Sequence, residues 1–214
     1  MNEVLKLSID TDSLLEAFDI VKDSENRCTE LEKWLQASGQ LTPLQTSLLA
    51  DVHHRSIDYI NGWNEEELKM KLISPLFYIA DIEERGKIAT FFERPLKATI
   101  NNYKISVICD CLVATPKGLT TPKYPYFFLQ EFKKEKGDSQ DPEAQMLAAM
   151  LIAQQANNDG KTIYGSWLVG SNWKFTTLND KHYCTSSWFD ATNKTDLERI
   201  VFIVRQLKVI ILNN

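Results

Sequence analysis

Apolar side chains recur at helical spacing through the first 80 residues of the chain. Leu14, Leu15, Phe18 and Val21 form the first such run, and three similar runs follow. Because a helix turns about every 3.6 residues, this spacing places the side chains on one face. Asn64, followed by three glutamates, is a typical helix start, since asparagine caps free backbone amides and acids suit the first turn. The pattern predicts a helical extension over residues 1–62, followed by a further helix.

The hydrophobic period shortens to two after about residue 89. Residues 89–100, 103–114 and 125–134 are rich in Phe, Ile, Val, Tyr and Thr, the residue types that favour strands. Turn-forming residues separate them, first Asn101-Asn102 and then a stretch with proline and glycine at 116–122. Three antiparallel strands are therefore predicted here.

A helix and a further strand follow the three strands. Asp141 and Pro142 suit the N-cap and first position of that helix. The remaining predicted elements are a buried strand at 161–169, short strands near 172–178 and 182–188, and a helix from Thr195 to about Leu212. The order α–β–β–β–α–β predicts an α/β domain over 63–214, with a mixed central sheet flanked by helices.

Composition and charge narrow the classes of function. Hydrophobic residues make up 43% of the 214 residues and charged residues 25%, as in soluble globular proteins. No run of about 18 apolar residues is present, and the N-terminus does not resemble a signal peptide, so we expect a cytoplasmic protein that does not enter a membrane. The net charge of −5 is unusual for a protein that binds nucleic acid, which commonly has a basic surface.

The four cysteines show no metal-binding or secreted-disulfide spacing. Cys28, Cys109, Cys111 and Cys184 are scattered along the chain, and no C-x-x-C pair occurs. Cysteine commonly behaves as a small hydrophobic residue in protein cores. We therefore expect four buried free thiols, with Cys109 and Cys111 on one face of their strand.

One acid interrupts the apolar strand at 103–114, and an acid and a lysine end the strand at 125–134. Apart from Lys104 at the start of the strand, Asp110 is its only charged residue. Buried acids are rare unless they are paired or bound to metal. Glu131 and Lys133 share a face of the other strand, about 6.6 Å apart along it. If the two strands pair, Glu131 approaches Asp110.

Two converging carboxylates suit Mg²⁺ or Mn²⁺, which prefer oxygen ligands. A neighbouring lysine can orient an attacking water and stabilise negative charge on a phosphate. The pattern Asp110, Glu131-Phe132-Lys133 on adjacent strands, followed by a helix, resembles the PD-(D/E)xK restriction-endonuclease-like superfamily. The resemblance implies a Mg²⁺-dependent nuclease that hydrolyses DNA phosphodiester bonds, and it covers roughly residues 64–170.

The helix from residue 64 is similar to the helix that opens the nuclease domain of type I restriction motor subunits. That resemblance implies that Glu65 joins Asp110 and Glu131 as a metal ligand, with Glu66 as the neighbouring alternative. It also implies that Gln145, at the start of the helix after the Glu-x-Lys strand, faces the site. Cys109 stands where many members of the superfamily have proline, and residues 1–62 match nothing in it.

Other readings of the same residues stay open. The fold could be a catalytically silent module that binds nucleic acid or protein, with the N-terminal helices forming a homodimer or partner interface. The acids could also form structural ion pairs only. His53, His54 and His182 have no metal-binding spacing and are expected to be packing or surface residues. Trp167, Trp173, Phe175 and Trp188 are typical of a strand core, although they could stack on bases, with Lys174 as a phosphate contact.

Overall fold

The structure, a computed structural model, describes residues 5–118, 121–134 and 141–213. Its strands are β1 (Leu5–Lys6), β2 (Val21–Ser24), β3 (Ala89–Ile100), β4 (Tyr103–Lys117), β5 (Thr121–Lys133), β6 (Ile163–Val169), β7 (Asn172–Asn179), β8 (His182–Thr185) and β9 (Phe189–Asp190). Its helices are α1 (Thr11–Ala17), α2 (Thr29–Leu35), α3 (Pro43–Tyr59), α4 (Glu65–Leu68), α5 (Ser74–Ala80), α6 (Pro142–Asn157) and α7 (Lys194–Asn213). A π-helical stretch, Lys69–Ile73, joins α4 to α5.

The strands form one mixed sheet in the order β1-β4-β5-β6-β7-β8-β2, with β3 paired to β4 and β9 to β7. This confirms the predicted α/β class with a mixed central sheet flanked by helices. Strands β3, β4 and β5 are antiparallel, and β6 runs parallel to β5 after the crossover through α6. Asn101 and Asn102 both have positive φ, which matches a tight hairpin turn between twisted strands.

The second hairpin is longer than the sequence predicts. Pro116 and Pro122, assigned to turns above, are paired with each other in β4 and β5. The register shifts on either side of Ala114, so the bulged ends of the strands accommodate both prolines. Residues 119–120, within the predicted turn, lie outside the described part of the chain.

Two hydrophobic clusters pack on opposite faces of the sheet. Phe128 belongs to one cluster and its chain neighbour Leu129 to the other. Consecutive strand residues point to opposite faces, so the sheet separates the two clusters. Helices α2, α3, α5 and α7 cover the Phe128 face, whereas α1 and α6 cover the Leu129 face.

The first 62 residues share the core of the rest of the chain. The Trp34 indole, in α2, donates a hydrogen bond to the Ile203 carbonyl of α7 at 2.8 Å. Strand β2 pairs in parallel with β8, and β1 pairs with β4, so the prediction of a purely helical segment misses two strands. Val21, placed on a helix by its spacing, lies in β2, because the positive φ of Asp19 turns the chain out of α1.

Two of the four cysteines are bonded, so the expectation of four free thiols is wrong. Cys28, directly before α2, forms a disulfide with Cys184 in β8, where the two chain segments meet through β2. Cys109 and Cys111 are free and buried, but they belong to the clusters on opposite faces. No helix among the described residues is long and apolar enough to cross a membrane.

Gly165, in β6, lies where α6 packs closely on the sheet. A β-carbon at this position would lie 2.8 Å from the Met146 sulfur and 2.9 Å from the Thr176 hydroxyl. We expect Gly165→Ala to lower the free energy of unfolding by about 1–3 kcal/mol, because the core must shift to admit a methyl group. Urea denaturation measures the change. Gly62→Ala is the matched control, since a β-carbon there meets nothing within 4 Å. An equal loss in both variants would contradict the packing argument.

Candidate functional site

Strands β4 and β5 bring Asp110 and Glu131 together. The pairing of Cys111 with Gln130 and of Leu112 with Leu129, continued by one residue, places Asp110 opposite Glu131. The Asp110 carboxylate accepts a hydrogen bond from the Phe132 backbone N–H at 2.9 Å. The Asp110 side chain therefore accepts a hydrogen bond from the backbone of β5 at the point where the regular pairing of β4 and β5 ends.

The alternation of faces along β3 and β4 slips at the level of Asp110. Ile105 and Cys109 belong to the cluster on the α6 face, and so does Leu112, although it is an odd number of residues from both. Glu93, which lies opposite Asp110 in β3, has a positive φ of 53°. A left-handed residue is uncommon outside glycine, asparagine and aspartate and marks an irregular strand. The irregularity explains why Cys109 and Cys111 do not share a face.

The carboxyl groups of Asp110 and Glu131 are in contact, with Asp110 partly buried and Glu131 fully removed from water. Glu131 is 0% exposed, and no donor of ordinary geometry among the described residues reaches either of its oxygens. Burial raises the pKa of Glu131 well above its ordinary value, and the charge of Asp110 raises it further. Burial also raises the pKa of Asp110, against the opposing effect of the Phe132 N–H and the Lys133 charge.

Lys133 supplies a buried cation beside this pair. Its side chain is 8% exposed, and its charge lowers the pKa of both Asp110 and Glu131. Its ammonium lies 3.3 Å from the Glu65 carboxylate. Because the ammonium of a buried lysine needs a counter-charge, Glu65 holds Lys133 in place from α4. One cation therefore faces three carboxyl groups.

Helix α4 presents Glu65 to the strands because its start is fixed. Asn64 accepts a hydrogen bond from the Glu67 backbone N–H, and the Glu67 side chain accepts one from the Asn64 N–H. This reciprocal capping confirms the predicted helix start. Glu66 pairs with Lys69 at 2.5 Å instead of with Lys133. Of the two glutamates considered from the sequence, Glu65 is the one in contact with the Glu-x-Lys strand.

An open cleft of about 490 Å³ gives access to the acidic pair. It is lined by Asn64, Glu65, Glu66, Lys69, Glu93, Asp110, Phe132 and Lys134. Four of these side chains are acidic and two are basic, so the cleft by itself attracts cations more than phosphate. Access from solvent leads to Asp110, with Glu131 buried behind it.

Glu93 and Lys69 belong to this cleft but were not recognised from the sequence. Lys69 lies between Glu66 and Glu93, at 2.5 and 3.1 Å. The signal was available for Glu93, because it is as far before the Asn101-Asn102 turn as Asp110 is after it.

Gln145 lies near the start of α6 and is half-buried, and its assignment to the site stays a prediction.

The acidic pair fits a metal that needs few protein ligands. Among the described residues, no group of three or more His, Cys, Asp or Glu side chains is arranged to hold a metal ion. Mg²⁺ is commonly bound by only one or two carboxylates, with waters and substrate phosphates completing its shell. The buried Glu131 oxygens, next to the Asp110 carboxyl group, fit a cation of this kind. Glu65, engaged with Lys133, stays a predicted ligand only.

Comparison with known proteins adds no further constraint on function. A scan of protein-family models and a search of curated proteins found no match to this chain. The functional argument therefore depends on the geometry of Asp110, Glu131, Lys133 and Glu65.

Proposed function

We propose that the chain is a divalent-metal-dependent phosphodiesterase that hydrolyses DNA, with a site of the PD-(D/E)xK kind. The observation that supports this most is the contact between the carboxyl group of Asp110, at the base of an open cleft, and the fully buried carboxyl group of Glu131. Two acids in contact are unfavourable, and the charge of Lys133 offsets this only in part, since the pKa of Glu131 stays well above its ordinary value, so a further cation suits the pair.

Asp110 and Glu131 would hold the metal, and Mg²⁺ or Mn²⁺ suits their oxygen donors. When bound, such an ion lowers the pKa of water and neutralises phosphate oxygens. Lys133 positions the attacking water and stabilises negative charge on the phosphate, since it is a fixed cation beside the acids. Glu65 keeps the Lys133 ammonium in place, and this pairing holds the positive charge near the reacting phosphate.

The second candidate is a module with the same fold that binds nucleic acid or protein without cleaving it. The acidic cleft favours it, because four acids against two lysines repel a phosphate backbone when no metal is bound. The two candidate functions predict different results in one measurement. Calorimetric titration with Mn²⁺ at millimolar concentration is expected to show binding for the phosphodiesterase and none for the silent module.

Replacing Lys133 by methionine tests the proposed activity. We expect cleavage of plasmid, linear duplex and single-stranded DNA in Mg²⁺ to fall by about 10²–10³-fold, because a fixed charge that stabilises the transition state is lost. Methionine keeps most of the apolar stem, and circular dichroism verifies folding. The matched control is Lys97→Met, which removes an exposed lysine from β3. Cleavage that survives Lys133→Met, or that continues in EDTA, would overturn the proposal.

A further inference from the structure

A line of paired residues leads from the acidic pair to an exposed aromatic side chain. Glu131 is paired with Trp167 in β6, and Trp167 is paired with Lys174 in β7. Directly opposite residues in a sheet share a face, so these three side chains lie side by side. Neighbouring strands are about 4.8 Å apart, which places Lys174 roughly 10 Å from Glu131.

Lys174 lies against two indole rings that also contact each other. Its ammonium is 4.8 Å from the centre of the Trp188 ring and 5.8 Å from that of Trp167. The two rings are 4.9 Å apart and nearly perpendicular, so Trp167 fixes the orientation of Trp188. Within the described ranges, Lys174 has no acidic partner at salt-bridge distance. The cluster of Trp167, Lys174 and Trp188 is called the Trp–Lys cluster below.

The Trp–Lys cluster has features that folding alone does not explain. Trp188, between β8 and β9, is 49% exposed, whereas Trp34 and Trp173 in the core are 1% and 0% exposed. In a chain of net charge −5, an unpaired lysine held by aromatic rings is a local positive site. An oriented indole face beside a cation matches a nucleotide, whose base stacks on aromatic rings and whose phosphate is anionic.

We propose that Trp188 and Lys174 bind an unpaired nucleotide of the DNA strand, next to the cleavage site. The position of this nucleotide relative to the scissile phosphate rests on the proposed function. The separation of roughly 10 Å corresponds to about three nucleotides of a stacked strand, at about 3.4 Å each. Trp188 stacks on the base, and Lys174 contacts a neighbouring phosphate. A paired base is covered on both faces, so the site selects single-stranded or frayed DNA.

Binding of a fluorescein-labelled oligothymidylate of roughly 12 nucleotides, followed by anisotropy in EDTA, tests the site directly. We expect Trp188→Ala to weaken binding roughly tenfold or more, and Trp188→Phe to restore most of the affinity because a ring remains. Lys174→Gln is expected to reduce the slope of log affinity against log salt by about 0.7. The controls are Tyr78→Ala, which removes another exposed aromatic, and Lys97→Gln.

A small diester separates this inference from the proposed function. Bis(p-nitrophenyl) phosphate has neither a nucleobase nor a second phosphate, so Trp188→Ala should change its hydrolysis far less than it raises the KM for the oligonucleotide. If neither substrate is cleaved but Trp188→Ala and Lys174→Gln still weaken binding, the nucleotide site stands without the nuclease. Unchanged affinity in both variants, or an equal loss for blunt duplex DNA, would overturn the site.

Discussion

Glu131→Gln is expected to abolish DNA cleavage and, in the absence of metal, to make the protein more stable. Glutamine has nearly the same shape but no charge, so it removes the repulsion between the buried Glu131 and the Asp110 carboxyl group in contact with it. It also removes a proposed metal ligand. Activity should fall by more than about 100-fold, because even residues that only support a ligand cost 10–100-fold when replaced.

A loss of activity together with a gain of stability would distinguish a metal-binding acidic pair from an ordinary buried ion pair. Loss of one partner of a structural ion pair leaves a buried charge and destabilises the protein. Here we expect the melting temperature in EDTA to rise by a few degrees, at about 2–4 °C per kcal/mol for a chain of this size. Mg²⁺ or Mn²⁺ should stabilise the wild type and not the variant. Glu32→Gln, which neutralises an exposed acid in α2, is the matched control.

The raised pKa of Glu131 predicts that the stability of the metal-free protein depends on pH. The pKa of Glu131 is raised well above 4.5 in the folded state, so between the unfolded and folded pKa values the folded protein binds more protons. Stability therefore falls as pH rises through this range. The stabilising effect of the protonated acid is fully present below about pH 4.5 and is lost above the folded pKa. Thermal unfolding in EDTA should show that the advantage of Glu131→Gln widens with pH. A constant difference would contradict the raised pKa.

Reduction of the Cys28–Cys184 disulfide is expected to lower the free energy of unfolding by about 2–4 kcal/mol. The bond joins residues 156 apart, so it removes many conformations from the unfolded chain. It also ties the start of α2 to β8 near the edge strand β2, which only β8 pairs with among the described strands. Denaturation in guanidinium chloride with and without reductant measures the loss.

Counting thiols decides whether this bond forms. In denaturant without reductant, an alkylating reagent should label two cysteines, Cys109 and Cys111, and all four after reduction. The Cys28→Ala/Cys184→Ala protein should not respond to reductant, which controls for any other effect of the reagent. Labelling of all four cysteines before reduction would restore the expectation of free thiols. Disulfides are rare in cytosolic proteins, so the bond also argues against the cytoplasmic placement, which stays a prediction.

Local patterns predicted most of the elements that carry the candidate site. The strand β3, the turn at Asn101-Asn102 and the N-caps at Asn64 and Asp141 lie where the sequence placed them. These features depend on residues close in the chain, through period, turn geometry and capping. The proximity of Asp110 and Glu131 also followed, because a hairpin constrains which residues of its two strands meet.

Contacts between residues far apart in the sequence could not be predicted from such local patterns. The sequence alone determined the α/β class and the antiparallel strands, and it predicted which acidic residues form the candidate site. Only the tertiary structure decided that Glu65 holds Lys133, that Cys28 bonds Cys184, and that Glu93 joins the cleft. The physical reason is that periodicity and capping report on neighbours within a few residues, whereas burial, pKa and ion pairing depend on which remote segments the folded core brings together.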